Sequence, residues 1–193
     1  AGEKGGNSWP QWTGCKACAE DCGSCHQDIY QQWSESMHRA SSTDPHVAIG
    51  IDWFRRENGV EASRFCAGCH DPIPLLAGEL DSNFAEMTDR APAHSEGVSC
   101  LVCHSIDNIP GANPGNGSYR IKAPSPPILG SSAASRALQN MSGSAHSEAY
   151  MKRPMLQQAE FCATCHQQFA FGTRLPAEEK DITGQFSEWK LSS

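Results

Sequence analysis

Residues 65–70 read Phe65-Cys66-Ala67-Gly68-Cys69-His70, and the last five form a pattern, C-x-x-C-H, that decides how the chain folds. The pattern occurs four times in 193 residues. In chain order, the first to fourth motifs are Cys22-Gly23-Ser24-Cys25-His26, Cys66-Ala67-Gly68-Cys69-His70, Cys100-Leu101-Val102-Cys103-His104 and Cys162-Ala163-Thr164-Cys165-His166. They use eight of the ten cysteines, so their spacing determines what most of the cysteines do.

This spacing is the attachment pattern for c-type haem. Two residues between the thiols let both sulfurs reach the haem vinyl groups, and the adjacent imidazole then meets the iron from one face. Zinc sites and disulfide frameworks also use C-x-x-C pairs, but they do not explain a histidine after every second cysteine. The motifs therefore predict four covalent haems. Their thiols are Cys22, Cys25, Cys66, Cys69, Cys100, Cys103, Cys162 and Cys165, and their iron ligands are His26, His70, His104 and His166.

The chain also offers a candidate for the sixth iron ligand of every haem, since it has four further histidines: His38, His46, His94 and His146. Bis-histidine ligation is therefore predicted, and it suits electron transfer rather than chemistry at an open iron. For His46, in Asp44-Pro45-His46, a surface residue is the main alternative. Methionine ligands are the other alternative, although methionine usually serves as soft packing. The candidates are Met37, Met87, Met141, Met151 and Met155.

Apolar residues recur at helical intervals over residues 27–40, which predicts a helix. His38 lies on the same face as Trp33 and Met37, the face expected to meet a haem. In a continuous helix His38 would lie about 18 Å along the axis from His26, too far to bind the same iron. His38 is therefore expected to serve another haem and so bring the irons close together.

Two more helices are predicted, over residues 53–69 and over residues 144–165 with a break near Pro154. Residues 107–132 contain five prolines and four glycines and predict a long surface loop, which includes a glycosylation sequon at Asn116. With 38% hydrophobic residues, 17 glycines and 12 prolines, the aliphatic core is expected to be small. The predicted fold is mainly α with extensive loops, with short helices packed around haem.

The chain is expected to divide into three parts: an N-terminal arm of residues 1–21, a tetrahaem domain of residues 22–170 and a C-terminal tail of residues 171–193. The arm contains Cys15-Lys16-Ala17-Cys18, which Ala19 follows where a haem site would have histidine. A disulfide formed in an oxidising compartment is the first interpretation of this pair. A bond to another subunit and a free thiol pair are the alternatives.

The charge balance, 22 acidic against 15 basic residues, gives a net charge of −7 and argues against nucleic acid as a partner. No apolar run is long enough for a transmembrane segment. We expect an already processed protein, periplasmic or extracellular. Its expected partners are redox proteins or extracellular electron acceptors.

Between residues 22 and 168 the sequence resembles the tetrahaem cytochromes of the cytochrome c-554 type. The resemblance rests on Ser36-Met37-His38 after the first motif, on His94-Ser95-Glu96-Gly97-Val98-Ser99 before the third motif, and on His146 before the fourth motif. It implies a compact set of short helices around closely stacked haem pairs. It also implies that His38 binds the third haem and that His94 binds the fourth. That family leaves its second haem five-coordinate, whereas this chain has a spare histidine for every haem.

By size and haem count the chain also resembles the tetrahaem subunits of extracellular cytochrome filaments, in which a neighbouring subunit supplies one axial histidine. His46 or His146 would take that role. We therefore expect electron transfer and not catalysis, by a single molecule or by a polymer. The alternative is an enzyme that acts on a small nitrogen or sulfur oxyanion at one open haem, with Glu96 or Asp107 as the proton donor.

Overall fold

The computed structural model describes residues 19–77, 80, 96–109, 114–122, 146–148, 154–169 and 181–192. Within these ranges short helices and loops dominate, which confirms the predicted mainly α fold with extensive loops. The helices are α1 Ala19–Gly23, α2 Gln27–Ser34, α3 Met37–Ala40, α4 Pro45–His70, α5 Pro72–Ala77, α6 Cys100–Ser105, a 3₁₀ turn Pro154–Gln157, α7 Ala159–His166 and α8 Gln185–Ser192. The strands are β1 Ile106–Asn108, β2 Arg120–Ile121, β3 Gln168–Phe169 and β4 Asp181–Thr183.

The helix predicted over residues 27–40 is two helices, α2 and α3, so the prediction of one continuous helix is wrong. The backbone of Ser36 is extended (φ −88°, ψ 160°), and its hydroxyl accepts the N–H of Arg39 as an N-cap. The same hydroxyl donates to the carbonyl of Trp33 at 2.7 Å, which ties the end of α2 to the start of α3. The chain therefore turns between His26 and His38, and the separation of a straight helix does not apply.

Helix α4 begins at Pro45, earlier than the predicted helix of residues 53–69. The carboxylate of Asp44 accepts two N–H groups of the first turn, at 3.0 and 3.1 Å, and proline fits this turn because its missing N–H needs no partner. The helix is kinked at Gly59, where φ is 85°, a conformation that glycine adopts without steric cost. Its last turn carries the second motif.

The prediction of a surface loop over residues 107–132 is wrong for the described part of this segment. Strands β1 and β2 pair antiparallel, with Ile106 opposite Ile121, and Lys122 donates its N–H to Ser105. Between them, Tyr119 and all of residues 114–118 are buried or half-buried. Backbone polar groups in this segment have partners in the neighbouring helix ends, which is why it can lie inside the protein despite its glycines and prolines.

Residues 181–192, within the predicted C-terminal tail, fold back onto α7. Strand β4 pairs antiparallel with β3, with Gln168 opposite Thr183 and Phe169 opposite Asp181. Helix α8 then packs along α7, and Lys190 lies 3.9 Å from Glu160. The end of the fourth motif is thus held between a two-stranded sheet and a helix.

The aliphatic core of the described residues is small. Its buried hydrophobic residues are Ala19, Ile51, Ala67, Ile73, Leu80, Leu101, Val102, Ile106, Tyr119 and Ala163. Four of these ten lie inside C-x-x-C-H motifs, so the buried part of the protein is centred on the motifs. No helix in the described ranges has both the length and the apolar character that crossing a bilayer requires.

Candidate haem attachment sites

Each motif lies at or inside a helix. The first motif joins α1 to α2, and its turn is closed by the N–H groups of Cys25 and His26, which donate to the carbonyl of Cys22 at 3.1 and 2.9 Å. The other three motifs occupy the last turn of α4, the greater part of α6 and the last turn of α7. Helical spacing places residues three and four positions apart side by side, so both thiols and the imidazole of a motif point to the same surface.

The thiols of different motifs meet in pairs. Cys22 of the first motif is hydrogen-bonded to Cys100 of the third; this contact raises the pKa of Cys22 and lowers that of Cys100. Cys69 of the second motif is hydrogen-bonded to Cys165 of the fourth, with the same pair of effects on their pKa values. The fold therefore brings together the first and third motifs, and the second and fourth.

The third and fourth motifs are also neighbours. The pKa of Cys103 is raised to about 12, mainly by burial and further by the nearby thiols of Cys165, Cys100 and Cys162. Cys103 belongs to the third motif and Cys165 to the fourth. All four motifs are thus linked through their thiols in the order first, third, fourth, second.

A buried carboxylate fixes the approach to the third motif. Both oxygens of Glu96, which is 7% exposed, accept the N–H of Ala19 at the start of α1, at 3.0 and 3.1 Å. Asp107, the other predicted proton donor, accepts Arg120 Nε at 3.0 Å across the β1–β2 pair. Both carboxylates therefore hold elements of the fold together.

The turn formed by residues 114–119 lies between the second and fourth motifs. Gly117 donates its N–H to the carbonyl of Thr164 at 2.8 Å, and the hydroxyl of Tyr119 donates to the carbonyl of Gly68 at 2.6 Å. The side chain of Asn116 donates to the carbonyl of Phe169 and accepts its N–H, at 3.1 and 2.7 Å. Both ends of the Asn116 side-chain amide are therefore hydrogen-bonded within the protein.

Two of the spare histidines face histidines of the motifs. The ring centres of His26 and His146 lie 6.2 Å apart, and those of His38 and His166 lie 5.9 Å apart. Two imidazoles that bind one metal from opposite faces, each through a nitrogen about 2 Å away, have ring centres roughly 6 Å apart. The ring separations at the first and fourth motifs therefore match that of two imidazoles on one metal.

The partner of His38 differs from the one that the resemblance implies. The c-554 pattern assigns His38 to the third haem, but the structure places its ring beside His166 of the fourth motif. The cause is the turn at Ser36, together with the hydrogen bond from the N–H of Val98 to the carbonyl of His38 at 2.9 Å. These contacts orient α3 towards α7.

The other candidate ligands have different surroundings. His46 lies in the first turn of α4, its side chain is 96% exposed, and its Nδ1 is 3.7 Å from Asp44. Met37 is 70% exposed, and Met155 lies in the 3₁₀ turn. The remaining candidates lie outside the described residues, as do the two cysteines of the N-terminal arm. They are His94, Met87, Met141, Met151, Cys15 and Cys18.

Burial lowers the pKa of three of these histidines. For His38, burial is the main cause and the neighbouring His166 adds to it; His146 is affected in the same way by His26 and His104. Burial likewise lowers the pKa of His70 in the second motif. A lowered pKa keeps the imidazole neutral at pH 7, and the neutral form is the one that binds metal.

Four polar residues of the site were missed by reasoning from the sequence: Gln185, Gln167, Tyr119 and Asn116. The side-chain oxygen of Gln185 accepts a hydrogen bond from Nδ1 of His166 at 2.7 Å. The side-chain oxygen of Gln167 accepts hydrogen bonds from the N–H and the hydroxyl of Ser187. For the turn, Asn116-Gly117 was a usable signal, because Asn-Gly favours tight turns. Nothing local in the sequence indicates that Gln185 meets His166.

Residues 21–105 match the family model of cytochrome c554 and c-prime. This segment contains the first three motifs, and the fourth motif lies beyond it. The family match and the four motifs together support the interpretation of the chain as a multihaem c-type cytochrome with covalently bound haem. Among solved structures, the chain is similar to a penta-haem cytochrome c552 from Thermochromatium tepidum, with a TM-score of 0.48 and 21% identity. The match covers 85% of this chain and 53% of that cytochrome, so the chain spans about half of its length. The search of curated proteins found no significant match.

Proposed function

We propose that this multihaem c-type cytochrome holds four haems, each with iron bound by two histidines, and that it transfers electrons through them. The observation that carries the proposal is the pairing of His26 with His146 and of His38 with His166 at ring separations of 6.2 and 5.9 Å. A haem bound there supplies a one-electron iron couple. The protein supplies the thiols that fix the haem, the imidazoles that bind the iron and the contacts that hold the motifs close together.

The number of haems is tested by the mass of the mature protein measured under denaturing conditions. Four haems are expected, since each motif supplies two thiols of its own. Replacing Cys66 and Cys69 by serine is expected to remove one haem. The control replaces Cys15 and Cys18 by serine and is expected to keep all four. A mature protein with fewer than four haems would contradict the proposal.

We propose electron transfer rather than catalysis because both carboxylates predicted as proton donors already accept hydrogen bonds from other parts of the protein. Glu96 caps the start of α1, and Asp107 pairs with Arg120. Low-temperature EPR of the oxidised protein is expected to show low-spin iron only, and the reduced protein is expected not to bind carbon monoxide. A high-spin signal with carbon monoxide binding would favour the alternative, an enzyme acting on a small nitrogen or sulfur oxyanion at an open haem.

Assembly of copies into a filament is also proposed, because α4 presents an exposed stripe. His46 is 96% exposed, and Ile49 and Trp53, three and seven positions further along the helix, are 70% and 64% exposed. Such spacing places the three residues on one side of a helix, where a neighbouring copy would cover the apolar pair and could accept the histidine as an axial ligand.

The filament is tested by size-exclusion chromatography and electron microscopy at high protein concentration. Large assemblies are expected from the wild-type protein, and Trp53→Ser or His46→Ala is expected to dissolve them. Asn58→Ser serves as the control and is expected to assemble normally, because Asn58 is exposed on α4 but lies on the side of the helix away from His46 and Trp53. A monomer at every concentration would overturn this part of the proposal.

We place the protein in the periplasm or outside the cell, with redox proteins or extracellular acceptors as partners. The net charge of −7 supports partners other than nucleic acid. Haem-stained gels of cell fractions test the location, and haem staining confined to the cytoplasm would contradict it.

A further inference from the structure

Helix α8 contacts the fourth motif through a glutamine. The side-chain oxygen of Gln185, the first residue of α8, lies 2.7 Å from Nδ1 of His166. An amide oxygen only accepts hydrogen bonds, so Nδ1 of His166 carries the proton and donates it. The other ring nitrogen, Nε2, then keeps its lone pair and is the nitrogen available to a metal.

The position of Gln185 is fixed by contacts on both sides of it. Gln167, the residue after His166, is 2% exposed, and its side-chain oxygen accepts both the N–H and the hydroxyl of Ser187 at 3.1 Å. Gln167 thus caps the first turn of α8, while Gln185 of that turn bonds back to His166. The β3–β4 pair adds a second connection between the same two segments.

From these contacts we infer that Gln185 is a positioning residue for His166, which fixes the tautomer and the ring orientation of this ligand and lowers the reduction potential of the haem on the fourth motif. The inference rests on the proposed role of His166 as an iron ligand. Metal-bound histidines commonly donate their second N–H to an acceptor, which raises the basicity of the ligand. A more basic ligand favours ferric over ferrous iron, because ferric iron carries the greater charge.

The distance between the two side chains is that of a direct hydrogen bond. The contact between Gln185 and His166 measures 2.7 Å. This is shorter than the usual N–H···O separation of about 3 Å. The residue that Gln185 contacts belongs to the fourth motif, so the effect is expected to be confined to one haem.

The test is a redox titration of the mature four-haem protein. Optical spectra and EPR recorded during the titration give the midpoint potential of each haem. Gln185→Leu removes the acceptor at nearly constant size and is expected to raise one of the four midpoint potentials. Gln185→Glu keeps an acceptor and adds negative charge, so it is expected to lower the same potential. Gln157→Leu, an exposed glutamine in the 3₁₀ turn, is the matched control and is expected to leave all four potentials unchanged.

The outcomes separate this inference from the proposed function. Haem content and low-spin EPR of the wild-type protein test whether His166 and its counterparts bind iron at all. If four low-spin haems are present and the Gln185 variants titrate like Gln157→Leu, the inference is overturned and the proposed function stands. If Gln185→Leu does not accumulate, the titration of Gln185→Ala decides, because this variant also removes the acceptor and adds no charge: a raised potential supports the inference, and an unchanged or lowered potential contradicts it.

Discussion

At the scale of single residues, burial prepares the histidines for metal binding. An imidazole in water is partly protonated near its ordinary pKa of about 6.5, and the protonated form has no lone pair for a metal. The surroundings of His38, His70 and His146 disfavour the charged form and lower their pKa values. These side chains are therefore neutral at pH 7 and ready to bind iron.

His38→Ala is expected to open one iron site. If His38 and His166 bind the same iron, the variant leaves this iron with a single axial histidine, and one of the four haems becomes high-spin and binds carbon monoxide when reduced. EPR and the optical spectrum of the reduced protein with carbon monoxide measure the change.

Met37→Ala, at the adjacent position of α3, is the control for that variant. Met37 is 70% exposed, so its replacement is expected to keep every haem low-spin. A high-spin haem in Met37→Ala would instead point to methionine ligation. A fully low-spin His38→Ala protein would contradict the pairing of His38 with His166.

Tyr119→Phe is expected to destabilise the protein, because the half-buried carbonyl of Gly68 loses its hydrogen-bond donor. The loss of such a hydrogen bond costs about 1 kcal/mol. Denaturation by guanidinium chloride of the haem-loaded protein measures the loss. Tyr30→Phe is the control: this tyrosine packs its ring against Trp33, so the loss of its hydroxyl is expected to leave the free energy of unfolding nearly unchanged. Equal effects of both variants would argue against a special role for the Tyr119 hydroxyl.

At the scale of elements, residues 96–99 hold α3 in place. The indole N–H of Trp33 donates to the carbonyl of Val98 at 2.9 Å, and the N–H of Val98 donates to the carbonyl of His38. Gly97, the residue before Val98, has a φ of 64°. The segment before the third motif therefore sets the position of His38, whose ring lies beside the fourth motif.

Gly97→Ala is expected to destabilise the protein, since an added Cβ would lie 2.4 Å from the carbonyl oxygen of His38. The positive φ adds to this clash, because the left-handed conformation alone costs alanine roughly 1 kcal/mol or more. The substitution should also disturb the iron site that His38 serves, which EPR detects as a high-spin fraction.

Gly50→Ala is the opposite case and the control. Gly50 lies inside α4 with nothing within 4 Å of an added Cβ. Alanine is therefore expected to stabilise the protein by about 1 kcal/mol, the usual difference between the two residues inside a helix. Chemical denaturation of both variants provides the measurement. A Gly97→Ala protein as stable as wild type would show that this backbone contact contributes little.

The helices near the motifs could be predicted from the sequence only where local signals decide them. Apolar periodicity correctly indicated helical structure around Trp33 and before the second motif. Asp44-Pro45 was an available start signal for α4, and Ser36 was an available cap for α3, but the continuing apolar pattern favoured a single helix. The turn at Asn116 was missed because its glycines and prolines indicated a surface, whereas contacts from distant residues bury it.

At the scale of the whole molecule, the four motifs are not arranged in chain order. Cys22 meets Cys100, Cys103 lies near Cys165, and Cys165 meets Cys69, which gives the order first, third, fourth, second. The sequence could predict the four attachment motifs and the histidine next to each pair of thiols, because these features are local to the motifs. It could not specify this order, because the order depends on how the segments around Glu96 and Tyr119 pack against remote helices.

The order of the motifs leads to a prediction about redox coupling. An oxidised haem carries one more positive charge than a reduced one, so it raises the potential of its neighbours, and this effect weakens with distance. Removing the third haem, by Cys100→Ser with Cys103→Ser, takes away a neighbour of both the first and the fourth haems. Two of the three remaining midpoint potentials are then expected to fall.

Removing the second haem, by Cys66→Ser with Cys69→Ser, takes away a terminal group whose neighbour is the fourth haem. Only one of the three remaining potentials is then expected to fall clearly. Redox titrations of the two variants, each confirmed by mass to hold three haems, make the comparison. If both deletions shift the same number of potentials, the haems are not arranged as the thiol contacts indicate, because an interior and a terminal position would then be indistinguishable.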